Sequence, residues 1–249
     1  MLRAKNKVVI VTGGASGLGE ADARLLVAEG ASVVITDVAQ EQGAALAQSL
    51  GDNALFLEHD VRDEQGWVNV MERTEAAYGR LDGLVNNAGV SEIETVEETS
   101  LESWQFVNDV NSRGTFLGCK HAIPIMKKSG GGSIINISSM AALACYPQYF
   151  SYVASKAAVH AMTKSIAVHC LKSANNIRCN SVYPGAINTP LQRAVQVVQD
   201  DVEESALSKN NLPVGEPDDI AKLVLYLISD DSRFMNGAEL RIDGGGLYL

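Results

Sequence analysis

Apolar residues along this chain follow two rhythms that alternate from one end to the other. Short runs dense in valine, isoleucine and leucine stand between longer stretches where apolar positions recur every three or four residues. Lys7–Thr12, with Val8, Val9, Ile10 and Val11, is a run of the first kind. Gly17–Glu29 follows it with Leu18, Ala21, Leu25 and Leu26 at helical spacing. The same reading predicts further strands at Ser32–Thr36, Ala54–Leu57, Leu81–Val85, Ser133–Ile137, Ile177–Val182 and Ala238–Ile242. Helices are predicted at Gln40–Leu50, Asp63–Tyr78, Ser151–Leu171 and Asp218–Ile228, with one or two long ones inside Leu101–Lys128. Strands that are apolar almost throughout, each followed by a helix, argue for a parallel sheet covered on both faces. The expected class is therefore α/β, a doubly wound parallel sheet of about seven strands.

No proline- or serine-rich linker and no internal repeat interrupts the alternation, so residues 1–249 are expected to form one catalytic domain. Asn188–Glu216 is long and weakly patterned, and loops of that length in compact domains are commonly functional. A mobile substrate flap is expected at about 188–216.

Composition narrows the partners. Hydrophobic residues make up 46% of the chain and the formal net charge is −10. An acidic surface repels phosphate backbones and anionic lipid, so neither nucleic acid nor a membrane is expected as a partner. No run approaches the roughly 20 apolar residues that cross a bilayer. Met1–Lys7 and the short apolar run before Gly13 do not make a signal peptide, and a cytoplasmic protein is expected. Cys119, Cys145, Cys170 and Cys179 form no Cys-x-x-Cys pair and have no histidine at zinc spacing, so no metal is expected.

Two stretches carry chemistry. Thr12-Gly13-Gly14-Ala15-Ser16-Gly17-Leu18-Gly19 joins the first strand to the first helix. Glycine there permits a tight turn and a close backbone approach to pyrophosphate, and the helix N-terminus offers N–H groups and a positive dipole end. Asp37 ends the second strand about 20 residues further on, where a carboxylate accepts from the adenosine ribose hydroxyls and repels a 2′-phosphate. No Arg or Lys stands at Ser16 or Val38 to offset it, so NAD is expected over NADP. In the second stretch, Tyr152 and Lys156 are four residues apart, one turn of a helix, with Ser139 thirteen residues upstream of Tyr152. An ammonium beside a phenol favours phenolate, and a phenol titrating near neutrality can shuttle a proton.

Together these stretches resemble the classical short-chain dehydrogenase/reductase family, over essentially the whole chain. The loop matches its Thr-Gly-x-x-x-Gly-x-Gly, and Asn86-Asn87-Ala88-Gly89 matches its Asn-Asn-Ala-Gly. Pro184-Gly185 and Thr189 match its Pro-Gly and downstream threonine. Within the family the chain looks most like bacterial 3β/17β-hydroxysteroid and alicyclic secondary-alcohol dehydrogenases. The resemblance implies a Rossmann fold and a catalytic set of Asn111, Ser139, Tyr152 and Lys156. Tyr152 would be the acid/base, with Lys156 lowering its pKa and holding the nicotinamide ribose. Ser139 would bond the substrate oxygen, and Asn111 would hold a water on the proton path. NAD would lie along Gly13, Ser16, Gly17, Leu18, Gly19, Asp37 and Val38, with Asp60 and Val61 at the adenine. Asn87, Ala88, Gly89, Tyr152, Lys156, Pro184, Gly185, Ile187 and Thr189 would hold the nicotinamide half. Members of the family are usually tetramers, so a homotetramer is expected, with the Leu101–Lys128 and Ser151–Leu171 helices and the C-terminal Ala238–Leu249 in contacts.

Ser138 adjoins Ser139 but fits the thirteen-residue spacing less well and is read as structural. His59, His121, His160 and His169 are read as structural or surface groups. By position, Ser91, Ser139, Met140, Ala141, Cys145, Tyr149, Tyr152, Tyr183, Leu191 and Val195 are candidates for the substrate wall. They are mostly apolar and lack a cation, which suits a small uncharged secondary alcohol or ketone of the hydroxysteroid, alicyclic or aryl class. The alternatives are a carbonyl reductase resembling 3-oxoacyl carrier protein reductases and a non-catalytic NAD-binding regulator.

Overall fold

A computed structural model describes residues 2–193 and 214–248. Seven strands, β1 (Val8–Thr12), β2 (Ser32–Asp37), β3 (Ala54–Glu58), β4 (Gly83–Asn86), β5 (Gly132–Ile137), β6 (Ile177–Pro184) and β7 (Glu239–Ile242), form one sheet. All pairs are parallel, in the order β3-β2-β1-β4-β5-β6-β7. The helices are α1 (Gly17–Ala28), α2 (Gln40–Leu50), α3 (Glu64–Tyr78), α4 (Leu101–Asn108), α5 (Gly114–Lys128), α6 (Ala141–Ala144), α7 (Phe150–Lys172) and α8 (Pro217–Ile228).

Strand side chains alternate between two cores, which is why the strands are apolar throughout. Val9, Val11, Val33 and Ile35 pack with Leu26 of α1 and Val224 of α8. Ile10, Val34 and Leu84 point the other way, onto Trp67 of α3, Leu117 of α5 and Cys170 of α7. Each fully buried side chain of this size contributes about 1.5–3 kcal/mol. Chain order reverses between β1 and β4, so the loops leaving those two strands diverge and open a crevice at their carboxyl ends.

Three differences from the sequence reading have local causes. β4 begins at Gly83 rather than Leu81, because the Leu81 N–H donates to Ser129 Oγ (3.0 Å) instead of to a strand. β6 runs on to Pro184, since its pairing with β7 continues until Pro184 stands opposite Ile242. Between α4 and α5 lies a π-helical turn, Asp109–Arg113, centred on Asn111. Such turns recur at functional sites because the wide ring re-aims one side chain. Most of the expected flap, residues 194–213, and with it Val195, lies outside the described residues.

Candidate active site

The crevice is a cleft of about 400 Å³ running from Asp37 and Arg62 at one end to Ser139 and Tyr152 at the other. Its floor is the glycine loop, tied to the end of β4. Thr12 Oγ1 accepts from the Asn87 and Ala88 N–H groups (both 3.0 Å), and Asn87 Nδ2 donates to the Thr12 and Gly13 carbonyls (2.9 and 3.1 Å). Gly13 is required twice over. Its φ is +60°, and a Cβ there would stand 2.8 Å from the Ala88 Cα. Ser16 occupies the N-cap of α1 without a side-chain capping bond, so the first N–H groups of the helix are left for an anion.

At the outer end, Asp37 holds its carboxylate in place with two backbone bonds, from Ala15 N–H and Ala39 N–H, each 3.0 Å. Asp60 is engaged by Arg62, whose guanidinium and N–H both donate to it, and that pairing holds its carboxyl below the usual range. Val38, Val61 and Phe106 complete this end.

The inner end is built from the face of α7. Tyr152 and Lys156 stand one turn apart, with Lys156 Nζ 5.7 Å from the centre of the Tyr152 ring. Lys156 is buried, donates to the Ile137 carbonyl (2.9 Å), and desolvation lowers its pKa to about 8. Burial raises the Tyr152 pKa, and a hydrogen bond with the Ser139 side chain opposes that rise. This corrects the expectation that lysine acidifies the phenol. In the chain alone the ammonium lies over the ring face and bonds a carbonyl, so desolvation governs both groups. Gly89 keeps the region open: a Cβ there would lie 3.2 Å from Lys156 Nζ and 3.4 Å from Asn111 Oδ1.

Asn111 is fully buried and does not border the cleft. Its Oδ1 accepts from the Val90 N–H, and its Nδ2 donates to the Val90 carbonyl and to Ser155 Oγ, all at 2.9 Å. The π-helical turn thus uses the side-chain amide to fasten the segment after β4 to α7. Ser138 Oγ donates to the Lys156 carbonyl (2.9 Å), pinning the same helix to β5.

Of the positions expected at the site, the cleft brings together Gly13, Ser16, Gly17, Leu18, Asp37, Val38, Asp60, Val61, Asn87, Ala88, Gly89, Ser139, Tyr152, Lys156, Pro184, Gly185, Ile187, Thr189 and Leu191. Gly19 lies behind the loop, facing the Gly13 carbonyl. Met140 and Ala141 are buried, and Cys145 ends α6 in an exposed left-handed turn (φ 57°). Tyr149 bridges to Glu94, and Ser91 Oγ is buried with no hydrogen-bond partner among the described residues. Tyr183 is withdrawn from the expected wall: it is fully buried, with its hydroxyl 2.5 Å from His160 Nδ1. Sequence reasoning missed Arg62, Val90, Phe106 and Val110, which also line the cleft. The Asp60–Arg62 spacing of two residues was a usable signal, since it favours a local ion pair. Among the described residues, no group of three or more His, Cys, Asp or Glu is placed to hold a metal, and no helix is long and apolar enough to cross a membrane.

Comparison with known proteins agrees with this geometry. A family model described as Enoyl-(Acyl carrier protein) reductase matches residues 13–246. The NADP-dependent (R)-specific alcohol dehydrogenase of Lentilactobacillus kefiri is 42% identical over 249 residues, 98% of this chain and 97% of that protein. The 3-alpha-(or 20-beta)-hydroxysteroid dehydrogenase of Mycobacterium bovis is 41% identical, over 96% of this chain and 88% of that one. Among solved structures, levodione reductase superposes with a TM-score of 0.91 at 31% identity, with 98% of each chain covered.

Proposed function

This chain belongs to the short-chain dehydrogenase/reductase family, and from that premise we propose that it interconverts a secondary alcohol and a ketone with NAD. The observation that carries the proposal is the convergence of Tyr152, Ser139 and Lys156 at the inner end of a cleft whose floor is a phosphate-binding loop. The residues present fit a dinucleotide: the α1 N-terminus is uncapped by side chains, and Gly13 has no room for a side chain. Gly13, Ser16, Gly17 and Leu18 would hold the phosphates, Asp37 the adenosine ribose, and Lys156 with Asn87 to Gly89 the nicotinamide half. When bound, the cofactor supplies or accepts the hydride.

The chain's own residues handle the proton and the charge. Tyr152, whose pKa burial raises, gives its hydroxyl proton to the ketone oxygen in reduction and takes it back in oxidation. Ser139 donates toward the same oxygen and stabilises the charge that builds there. Lys156, its pKa lowered to about 8 by burial, stands over the Tyr152 ring and would hold the nicotinamide ribose beside it. Asn111 is a positioning residue through Val90 and Ser155.

NAD is favoured over NADP because the Asp37 carboxylate is fixed at the ribose end by two backbone N–H groups and cannot swing away from a 2′-phosphate. The substrate class is a small uncharged alcohol or ketone, of hydroxysteroid, alicyclic or aryl type. Assembly as a homotetramer is supported by exposed apolar side chains on the long helices, among them Phe116 on α5 and Val168 and Leu171 on α7. The test is turnover of NAD and NADP against a panel of steroid, alicyclic and aryl secondary alcohols. Activity with NAD on part of the panel is expected, and silence across all of it rejects the reading.

A further inference from the structure

Beyond Tyr152 and Lys156, α7 continues the same four-residue step with His160 and Lys164, and both of these reach the sheet. Lys164 Nζ donates to Glu239 Oε1 on β7 (2.5 Å), and His160 Nε2 stands 3.6 Å from the same oxygen. The other imidazole nitrogen, Nδ1, shares a 2.5 Å hydrogen bond with the hydroxyl of Tyr183 on β6. That hydroxyl is fully buried, accepts from Ser181 Oγ (3.1 Å) and hydrogen-bonds the Ser138 side chain. Ser138 returns the chain to the reacting helix by donating from Oγ to the Lys156 carbonyl (2.9 Å). Its two neighbours touch the reacting groups themselves. The Ile137 carbonyl accepts from Lys156 Nζ (2.9 Å), and the Ser139 side chain bonds Tyr152. Packing alone would be met by a phenylalanine at position 183, since a buried hydroxyl carries a desolvation penalty that only its hydrogen bonds offset.

We propose that His160 and Tyr183 are positioning residues for the reaction: anchored by Glu239, they hold the Ser138 hydroxyl on the Lys156 carbonyl and so fix the Tyr152–Lys156 turn against Ser139. The inference rests on the alcohol–ketone reading given above. Members of a buried hydrogen-bond chain orient one another, so removing one link frees those beyond it. Rates are sensitive to such freedom, because a displacement of about 1 Å between reacting groups costs as much as about 100-fold. Neither His160 nor Tyr183 lines the cleft, so binding of cofactor and substrate is spared.

The test is kcat and KM with NAD and the secondary alcohol of the panel that wild-type protein oxidises fastest, with kcat expressed per NADH-binding site so that misfolded protein does not count. Tyr183→Phe and His160→Leu are each expected to lower kcat about 3- to 30-fold, with KM and NADH affinity within about twofold of wild type. His160→Asn keeps a polar group near Nδ1 and should recover most of the rate. Tyr183→Phe combined with Ser138→Ala should be no slower than Ser138→Ala alone, because both break one chain. Wild-type kcat per site in Tyr183→Phe and His160→Leu overturns the proposal. So do losses that multiply in the double variant, or a His160→Asn variant as slow as His160→Leu, which would assign the effect to shape. Should Tyr183→Phe fail to fold, the His160 variants, at a partly exposed position, decide the matter. A wild type silent on the whole panel rejects the functional reading instead. Amide hydrogen exchange then decides the inference without a substrate: faster exchange along residues 152–160 in His160→Leu, absent from His160→Asn, is expected, and unchanged exchange overturns it.

Discussion

The two ends of the cleft handle charge in opposite ways. At the outer end Asp37 and Asp60 are partly exposed and already bonded, Asp37 to two backbone N–H groups and Asp60 to Arg62. At the inner end no carboxylate among the described residues pairs with Lys156, and burial pushes the Tyr152 phenol up and the Lys156 ammonium down. Satisfied, locally anchored charges make a rigid surface for recognition at little penalty. Desolvated groups are expensive to maintain, and their protonation responds to small changes in surroundings, which is what proton transfer needs.

Breaking the inner end should have the largest effect. Tyr152→Phe is expected to lower turnover by about 10²–10⁴-fold while NADH affinity stays within about twofold, as measured by steady-state kinetics beside a binding titration. A variant that turns over at the wild-type rate would remove Tyr152 from the mechanism.

Lys156→Met should show what the inner end costs. The folded pKa of about 8 lies below the ordinary 10.5, so the folded state resists the charge and the penalty is fully present below pH 8. The variant should be inactive yet more stable than wild type by about 1–3 kcal/mol at pH 7. That advantage should shrink as the pH rises from 8 toward 10.5, read from denaturant midpoints across the series. An advantage that stays constant over this range would contradict the desolvation argument.

Asp22, outside the cleft, sharpens the same contrast. It is a buried carboxyl in α1 with no partner on either oxygen among the described residues, and burial raises its pKa well above the ordinary value. Because the folded state keeps a proton that the unfolded state releases above about pH 4, its contribution to stability is present at low pH and lost as pH rises through the folded pKa. Asp22→Asn should remove that slope and add about 1–2 kcal/mol at pH 8. An unchanged pH profile would mean the carboxyl is solvated.

The smallest effect belongs to the outer end. Asp37→Asn removes the charge but keeps one acceptor oxygen, and should lower the ratio of kcat/KM for NAD over NADP by about tenfold. An unaltered ratio would assign cofactor choice to other residues.

Much of this was legible in the chain. Alternating rhythms marked the strands and helices, and glycine spacing marked the loop, because both reflect local backbone needs. The π-helical turn at Asp109–Arg113 was not legible, since it follows from the Asn111 amide reaching Val90 and Ser155, which are 21 and 44 residues away. The position of Tyr183 was equally hidden: on a strand buried on both faces, hydrophobicity does not tell which core a side chain enters. Arg62 could have been suspected from its spacing to Asp60, but its place in the cleft wall follows only from the folded positions of Asp60 and Phe106.

What the sequence determined alone was the order of elements, the family and the residue types available for chemistry, since these depend on periodicity and short spacings. Only the tertiary structure decided the burial of Tyr152 and Lys156, the pairing of Asp60 with Arg62 and the inward turn of Asn111. Each of these depends on burial and on partners brought together by packing, and a linear pattern holds no measure of how much water a folded chain excludes.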